Sequence, residues 1–155
     1  EEYCEFIANK LKEPSYLSLE YVLQKYGILS EAVYAFTSVT LKKPKIYRNS
    51  LGTFIYRNIS DILFKGYEIK KISGFEIRVA SKSKALFDFL YYKANRKNEL
   101  TLDWFKSLRL NLFMLTAEDL SELYQYFNHT GIKKYSILCN FIKDAGEELF
   151  DNKIS

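Results

Sequence analysis

Apolar and polar residues follow two different periods along this chain, and each change of period indicates a new element. Between Leu19 and Tyr26 the apolar residues recur at intervals of three and four, the spacing of one buried stripe on a short helix. Ser18 is placed to cap the start of that helix, and Gly27 is a natural stop at its end. The segment therefore predicts a capped helix of about two turns that serves packing.

The next part of the chain has the short period of β-strands. Residues 33–41 are rich in β-branched and aromatic side chains with apolar residues on both alternating faces, which is typical of an interior strand. Pro44 then interrupts the pattern, and a proline cannot donate to a strand ladder. Two hairpins are predicted after it, at residues 45–48 with 53–59 around the turn 49–52, and at residues 67–72 with 76–80 around Ser73 and Gly74.

Helical periodicity returns at about residue 81 and continues to the end. Ser81 or Ser83 is a cap for a helix whose buried face comprises residues in 85–90, and Thr101 and Thr116 are caps for two more. A last helix over residues 133–150 has apolar positions that include Leu149. We predict an α+β domain with a mixed, mainly antiparallel sheet of about five strands, flanked by helices, with a C-terminal helical segment.

The polar stretch 95–98 is the best boundary within the chain. It divides an α+β core, residues 1–97, from a helical segment, residues 98–155, that we expect to pack on the core in one compact domain. The sequence has two cysteines far apart, one histidine and no apolar run long enough to span a membrane. These features favour a cytoplasmic protein with reduced thiols and no metal or cofactor.

The net charge of +4 is unevenly distributed. Residues 40–97 contain fourteen Lys and Arg residues against four Asp and Glu residues, whereas the segments on either side are acidic. One interpretation is contact with nucleic acid or an anionic partner, and the other is that lysines protect exposed strand edges from aggregation. The candidate contact residues are Lys42, Lys43, Lys45, Arg48 and Arg57.

Catalysis has one candidate arrangement, in which Asp61 precedes Glu68 and Lys70 on a predicted strand. Two carboxylates and a lysine are the groups that hold a divalent metal and position water in nucleases. The pattern has low specificity, because Glu76 and Arg78 repeat it at once. We therefore predict no catalytic residues, and we interpret the only histidine, His129, as a surface or capping residue at a helix end.

Lys84 and Asp88 lie four residues apart on the helix after Ser81. One interpretation is an exposed intrahelical pair of small energetic value, and the other is a polar patch that contacts a partner.

Several segments together resemble the C-terminal domain of the AbiEi-like antitoxins, which are the transcriptional-regulator partners in type IV toxin–antitoxin, or abortive infection, systems. The likeness lies in the order and spacing of the segments and covers about the first two-thirds of the chain. These segments are Tyr16-Leu17-Ser18-Leu19-Glu20, Tyr26-Gly27-Ile28-Leu29, Thr37-Ser38-Val39-Thr40, Leu51-Gly52-Thr53-Phe54-Ile55-Tyr56-Arg57 and Ala80-Ser81-Lys82-Ser83-Lys84-Ala85-Leu86-Phe87-Asp88.

The resemblance implies a non-enzymatic antitoxin and regulator domain of a bacterial phage-defence operon. Its functional partner would be a cognate nucleotidyltransferase-like toxin, with or without direct contact. In that family a winged helix-turn-helix that binds operator DNA precedes this domain, and since the chain starts without Met we expect it to be cut from a longer protein. The candidate functional polar residues that the resemblance implies within the matching segments are Ser38, Thr40, Lys84 and Asp88. The alternative function is a nucleic-acid-binding or vestigial nuclease-like domain that uses the basic sheet region.

Overall fold

The computed structural model describes residues 1–154, and the side-chain environments of residues 1–147. Leu149, which the helical pattern places on the apolar face of the last helix, lies outside those described side chains. The strands in this part of the chain are β1 (Ser15–Leu17), β2 (Ala35–Thr40), β3 (Lys45–Asn49), β4 (Gly52–Asn58), β5 (Tyr67–Ile72) and β6 (Phe75–Ala80). The α-helices there are α1 (Glu2–Leu11), α2 (Leu19–Lys25), α3 (Lys82–Asn95), α4 (Leu102–Ser107), α5 (Ala117–His129) and α6 (Lys133–Ile154).

The strands form one mixed sheet in the order β3-β4-β2-β1-β6-β5. Pairs β3–β4, β1–β2 and β5–β6 are antiparallel, whereas β2–β4 and β1–β6 are parallel. Both predicted hairpins are confirmed, and so is the interior position of β2. The α+β class with a mixed, mainly antiparallel sheet is therefore confirmed.

Strands β2 to β6 match the predicted count of about five over residues 33–80, and β1 adds a sixth strand that was not predicted, because its residues give no strand signal ahead of α2. This strand has only three residues, and all three are buried. Tyr16 pairs with Val39 on β2, and Leu17 pairs with Val79 on β6. The short β1 therefore joins the two halves of the sheet.

Side chains alternate between two covered faces of the sheet. Tyr16, Val39 and Arg57 are neighbours across β1, β2 and β4, so they share the face on which α3 lies. Tyr56 points to the other face, where its hydroxyl donates to the carbonyl of Ala8 on α1. Helices therefore cover both faces, and the buried core extends from each side of the sheet.

The C-terminal helices pack on α3. The ring of Phe127 on α5 lies 5.2 Å from that of Phe87 on α3 and 5.7 Å from that of Tyr135 on α6, measured between centroids. Thr116 forms the predicted capping box with Asp119 at the start of α5. Within the described side chains, α5 therefore packs on α3, and α6 packs on α5.

The helical pattern after Thr101 extends over residues 102–113, but the helix that forms there is shorter. Thr101 caps it as expected, but α4 ends at Ser107, and Arg109 takes a positive φ of 52°. Leu110 then pairs with Leu29 as an isolated β-bridge, so contact with the segment after α2 interrupts the helical periodicity.

Candidate functional site

A buried polar network connects α3 with the start of the domain. We define it as Lys84, Asp88, Tyr16 and Ser18, each of which has an exposed fraction of 0%. Lys84 Nζ lies 2.5 Å from Asp88 Oδ1. The hydroxyls of Tyr16 and Ser18 donate to Asp88 Oδ2 at 3.0 and 2.7 Å. Both interpretations of Lys84 and Asp88 as surface residues are therefore wrong.

The pair is buried because α3 is covered on more than one side. Ser81 caps the helix by accepting a hydrogen bond from the backbone N–H of Lys84, which places Lys84 in the first turn. From there the Lys84 ammonium is surrounded by aromatic rings, with centroids at 4.7 Å for Phe87, 5.6 Å for Tyr126 and 5.8 Å for Tyr16. The four-residue spacing of Lys84 and Asp88 was visible in the sequence, but the burial of the two side chains depends on α5 and the sheet.

Burial opposes both charges in the network. It raises the pKa of the Asp88 carboxyl and lowers the pKa of the Lys84 ammonium, and their ion pair counteracts both shifts. Burial also raises the pKa of Tyr16, with a further contribution from the negative charge of Asp88. The hydrogen bonds of the network link the β1 region to α3. Because none of its groups is exposed to solvent, a substrate cannot reach them in this structure.

Polar residues of β2, the strand next to β1, donate hydrogen bonds to the backbone at both ends of β1. Thr37 Oγ1 donates to the carbonyl of Ser18 at 2.6 Å, and Thr40 Oγ1 donates to that of Pro14 at 2.8 Å. Ser38 Oγ is buried and has no hydrogen-bond partner among the described side chains. Ser18 was predicted to cap α2, but its side chain is instead engaged with Asp88.

The basic candidates separate into two locations. Lys42, Lys43, Lys45 and Arg48 are exposed along and beside the edge strand β3. Arg57 lies on the face shared with α3, where its guanidinium carbon is 5.7 Å from the ring centroid of Tyr92. The position of Arg57 therefore depends on a contact with α3 as well as on β4. The residues next to Arg57 in the sequence did not indicate that contact.

A groove of about 730 Å³ runs between the β3–β4 edge and the C-terminal end of α3. Arg57, Asn58, Tyr92 and Arg96 are among its polar lining residues, and we call this cavity the Arg57 groove. A second cavity of about 390 Å³ adjoins it at Arg57 and extends to Glu20. Arg57 and Arg96 approach the groove beside the Tyr92 ring, whereas Lys45 pairs with Tyr56 and its Nζ lies 5.7 Å from the Tyr47 ring centroid, on the opposite face of the sheet.

The three nuclease-like candidates, Asp61, Glu68 and Lys70, do not come together in one site. Asp61 and Glu68 are both exposed, and Lys70 Nζ instead lies 3.4 Å from the hydroxyl of Tyr26. In the residues that the structure describes, no three His, Cys, Asp or Glu side chains come together as a metal site. His129 is exposed at the end of α5, as predicted.

Comparison of the chain with family models, with curated proteins and with solved structures gives no match. Over residues 1–154, no helix has the length and apolar character needed to cross a membrane.

Proposed function

We propose that this chain is a non-enzymatic antitoxin and transcriptional-regulator domain of a type IV toxin–antitoxin operon. It would antagonise a nucleotidyltransferase-like toxin in the cytoplasm of a bacterium. Repression of the operon would require operator DNA, bound by a winged helix in a longer parent protein. The order and spacing of the segments that resemble the AbiEi-like antitoxins carry this proposal.

The buried network supports the proposal, because it brings together segments that carry the resemblance but lie far apart in the chain. Ser18 comes from the first of these segments and Asp88 from the last, seventy residues later, and they are hydrogen-bonded. Thr37, from the central segment, donates to the backbone of Ser18. The segments that carry the resemblance thus meet in one packing arrangement around β1.

The position of the shared polar residues also limits how an antitoxin of this kind can act. Ser38, Thr40, Lys84 and Asp88 are buried, so they do not contact a toxin directly in this structure. They maintain the fold, and antagonism would be a property of the exposed surface that this fold presents.

Gene deletion tests the proposal in the source organism. We expect that deleting this gene alone arrests growth while a neighbouring nucleotidyltransferase-like gene is intact, since the toxin would then act without opposition. Deleting both genes should restore growth. If this gene can be deleted alone without a growth defect while that neighbour is expressed, or if it has no such neighbour, the proposal fails.

A further inference from the structure

Strand β3 forms one edge of the sheet, and within the described residues it pairs with β4 alone. The pairing runs in unbroken register from Lys45 to Asn49, so no bulge distorts this part of the edge. In an antiparallel ladder, every second residue of an edge strand directs its backbone N–H and C=O away from the neighbouring strand. The outer side of β3 therefore presents backbone groups that can pair with a further strand.

The charge beside this edge has a single sign. Lys42, Lys43, Lys45 and Arg48 are exposed, and none of them forms an ion pair in the described part of the chain. Residues 32–60 contain no Asp or Glu, so no carboxylate from this stretch of sequence offsets the four cations. A field of one sign attracts a partner of the opposite charge, which here is an acidic one.

The opposite sheet edge, β5, has a different charge pattern. Its charged residues are of both signs, namely Glu68, Lys70 and Lys71. Lys71 Nζ lies 3.9 Å from Glu76 Oε1 on β6, and Lys70 Nζ lies 3.4 Å from the hydroxyl of Tyr26. The uniform and unpaired positive charge is therefore a property of the β3 edge, which β5 does not share.

The cations of β3 lie on both faces of the sheet, because side chains alternate along a strand. Lys45 shares a face with Tyr47, whose ring centroid is 5.7 Å from Lys45 Nζ, whereas Arg48 shares the other face with Ile46. Ile46 is 48% exposed and lines the Arg57 groove. A nucleic acid lying on one face would meet only one of the two cations, whereas a polypeptide strand added in the plane of the sheet presents side chains to both.

We propose that the β3 edge binds an extended acidic segment of a partner protein, which adds to the sheet as a seventh strand. Carboxylates of that segment would lie beside Lys45 and Arg48, and a β-branched side chain would lie beside Ile46 at the groove. A second copy of β3 is a poor occupant, because it would bring two basic strands together. The inference does not rest on the antitoxin proposal, since it follows from the edge and its charge alone.

An NMR titration of the isotopically labelled chain with the capped peptide Gly-Glu-Val-Val-Glu-Gly tests this site. The peptide places a carboxylate beside Lys45 and Arg48 in either strand direction, and we expect the largest amide shifts on β3. The double variant Lys45→Gln/Arg48→Gln should weaken binding about tenfold. Lys71→Gln/Lys106→Gln removes the same charge from exposed positions outside β3 and should weaken it less than about twofold.

Two altered peptides separate strand addition from attraction between charges. N-methylation of both valine amides keeps the charge but removes the donors, and because one of two adjacent residues must face β3, binding should weaken at least tenfold. The peptide Gly-Lys-Val-Val-Lys-Gly keeps the backbone but reverses the charge, and it should also bind at least tenfold more weakly. Equal binding of the N-methylated and unmodified peptides would overturn strand addition.

The remaining outcomes concern the occupant of the edge. A single-stranded oligonucleotide of the same net charge should bind more weakly than the acidic peptide, and tighter binding would overturn a protein partner in favour of nucleic acid. Sedimentation of the chain alone should show a monomer, and a dimer that Lys45→Gln/Arg48→Gln alters would identify a second copy as the occupant instead. Absence of shifts on β3 at millimolar acidic peptide would overturn the site.

Discussion

Replacing Asp88 with alanine should destabilise the folded chain by about 3–5 kcal/mol, because it leaves a buried ammonium without its counter-ion. Lys84 has no exposed surface, and Asp88 is its ion-pair partner at 2.5 Å. The same substitution removes the acceptor of the Tyr16 and Ser18 hydroxyls. A loss of this size is a large fraction of the total stability of a typical domain. Urea unfolding, followed by the fluorescence of the single tryptophan, Trp104, measures it.

Two control variants make that measurement decisive. Glu76→Ala removes the carboxylate of an exposed pair, with Lys71 at 3.9 Å, and should cost less than about 1 kcal/mol. The double variant Lys84→Met/Asp88→Leu leaves no unpaired buried charge and should therefore cost less than Asp88→Ala, since the Tyr16 and Ser18 hydroxyls lose their acceptor in both variants. An Asp88→Ala cost equal to that of Glu76→Ala would contradict the buried network.

The network shows what local sequence can and cannot predict. The spacing of Lys84 and Asp88 predicted that the two side chains are in contact, because residues four apart on a helix are neighbours. Their burial was not predictable in the same way, since it depends on rings supplied by Tyr16, far earlier in the chain, and Tyr126, far later. A helix that is packed on several sides loses the apolar stripe from which burial is usually inferred.

The β1 strand and the end of α4 were missed for related reasons. Three residues between Pro14 and Ser18 are too few to show a period of two, although these residues form the junction of the sheet. The pattern after Thr101 is helical, but pairing between Leu110 and Leu29 overrides it. The hairpins and the caps of α3, α4 and α5 were predicted correctly because their signals are turn and cap residues, which act locally.

The Arg57 groove was only partly foreseeable. Arg57 was selected as one of several basic residues, and its sequence neighbours give no sign of a groove. Tyr92 and Arg96 approach it from α3, more than thirty positions later, and Glu20 approaches from α2. The site is therefore a product of the tertiary arrangement of β4 with these two helices.

Gly66→Ala should destabilise the chain by about 3 kcal/mol, because two separate costs combine. Gly66 has a φ of +79°, a conformation that alanine adopts only with strain. A Cβ at this position would also collide with the hydroxyl of Tyr126 and lie 2.9 Å from Lys84 Cγ. Tyr126 resists displacement, because its hydroxyl donates to Glu122 at 2.6 Å. Urea unfolding gives the change in the free energy of unfolding.

Gly74→Ala is the matched control for the backbone cost. Gly74 has nearly the same φ, +80°, but a Cβ there would meet nothing within 4 Å. This variant should therefore lose only about 1–2 kcal/mol, which is the cost of the left-handed conformation for alanine. If Gly66→Ala costs no more than Gly74→Ala, the tight packing of Gly66 against Lys84 and Tyr126 is contradicted.

Growth rescue tests the antitoxin account most directly. The proposal requires a nucleotidyltransferase-like protein encoded next to this gene. Cells that express that protein from an inducible promoter would be plated with and without this chain on a second plasmid. We predict that the wild-type chain and the folded Lys84→Met/Asp88→Leu variant both restore colony formation, since the buried pair maintains the fold and antagonism belongs to the surface. Failure of the wild-type chain to restore colonies, when it is folded and present at a level that exceeds the toxin, would contradict the account.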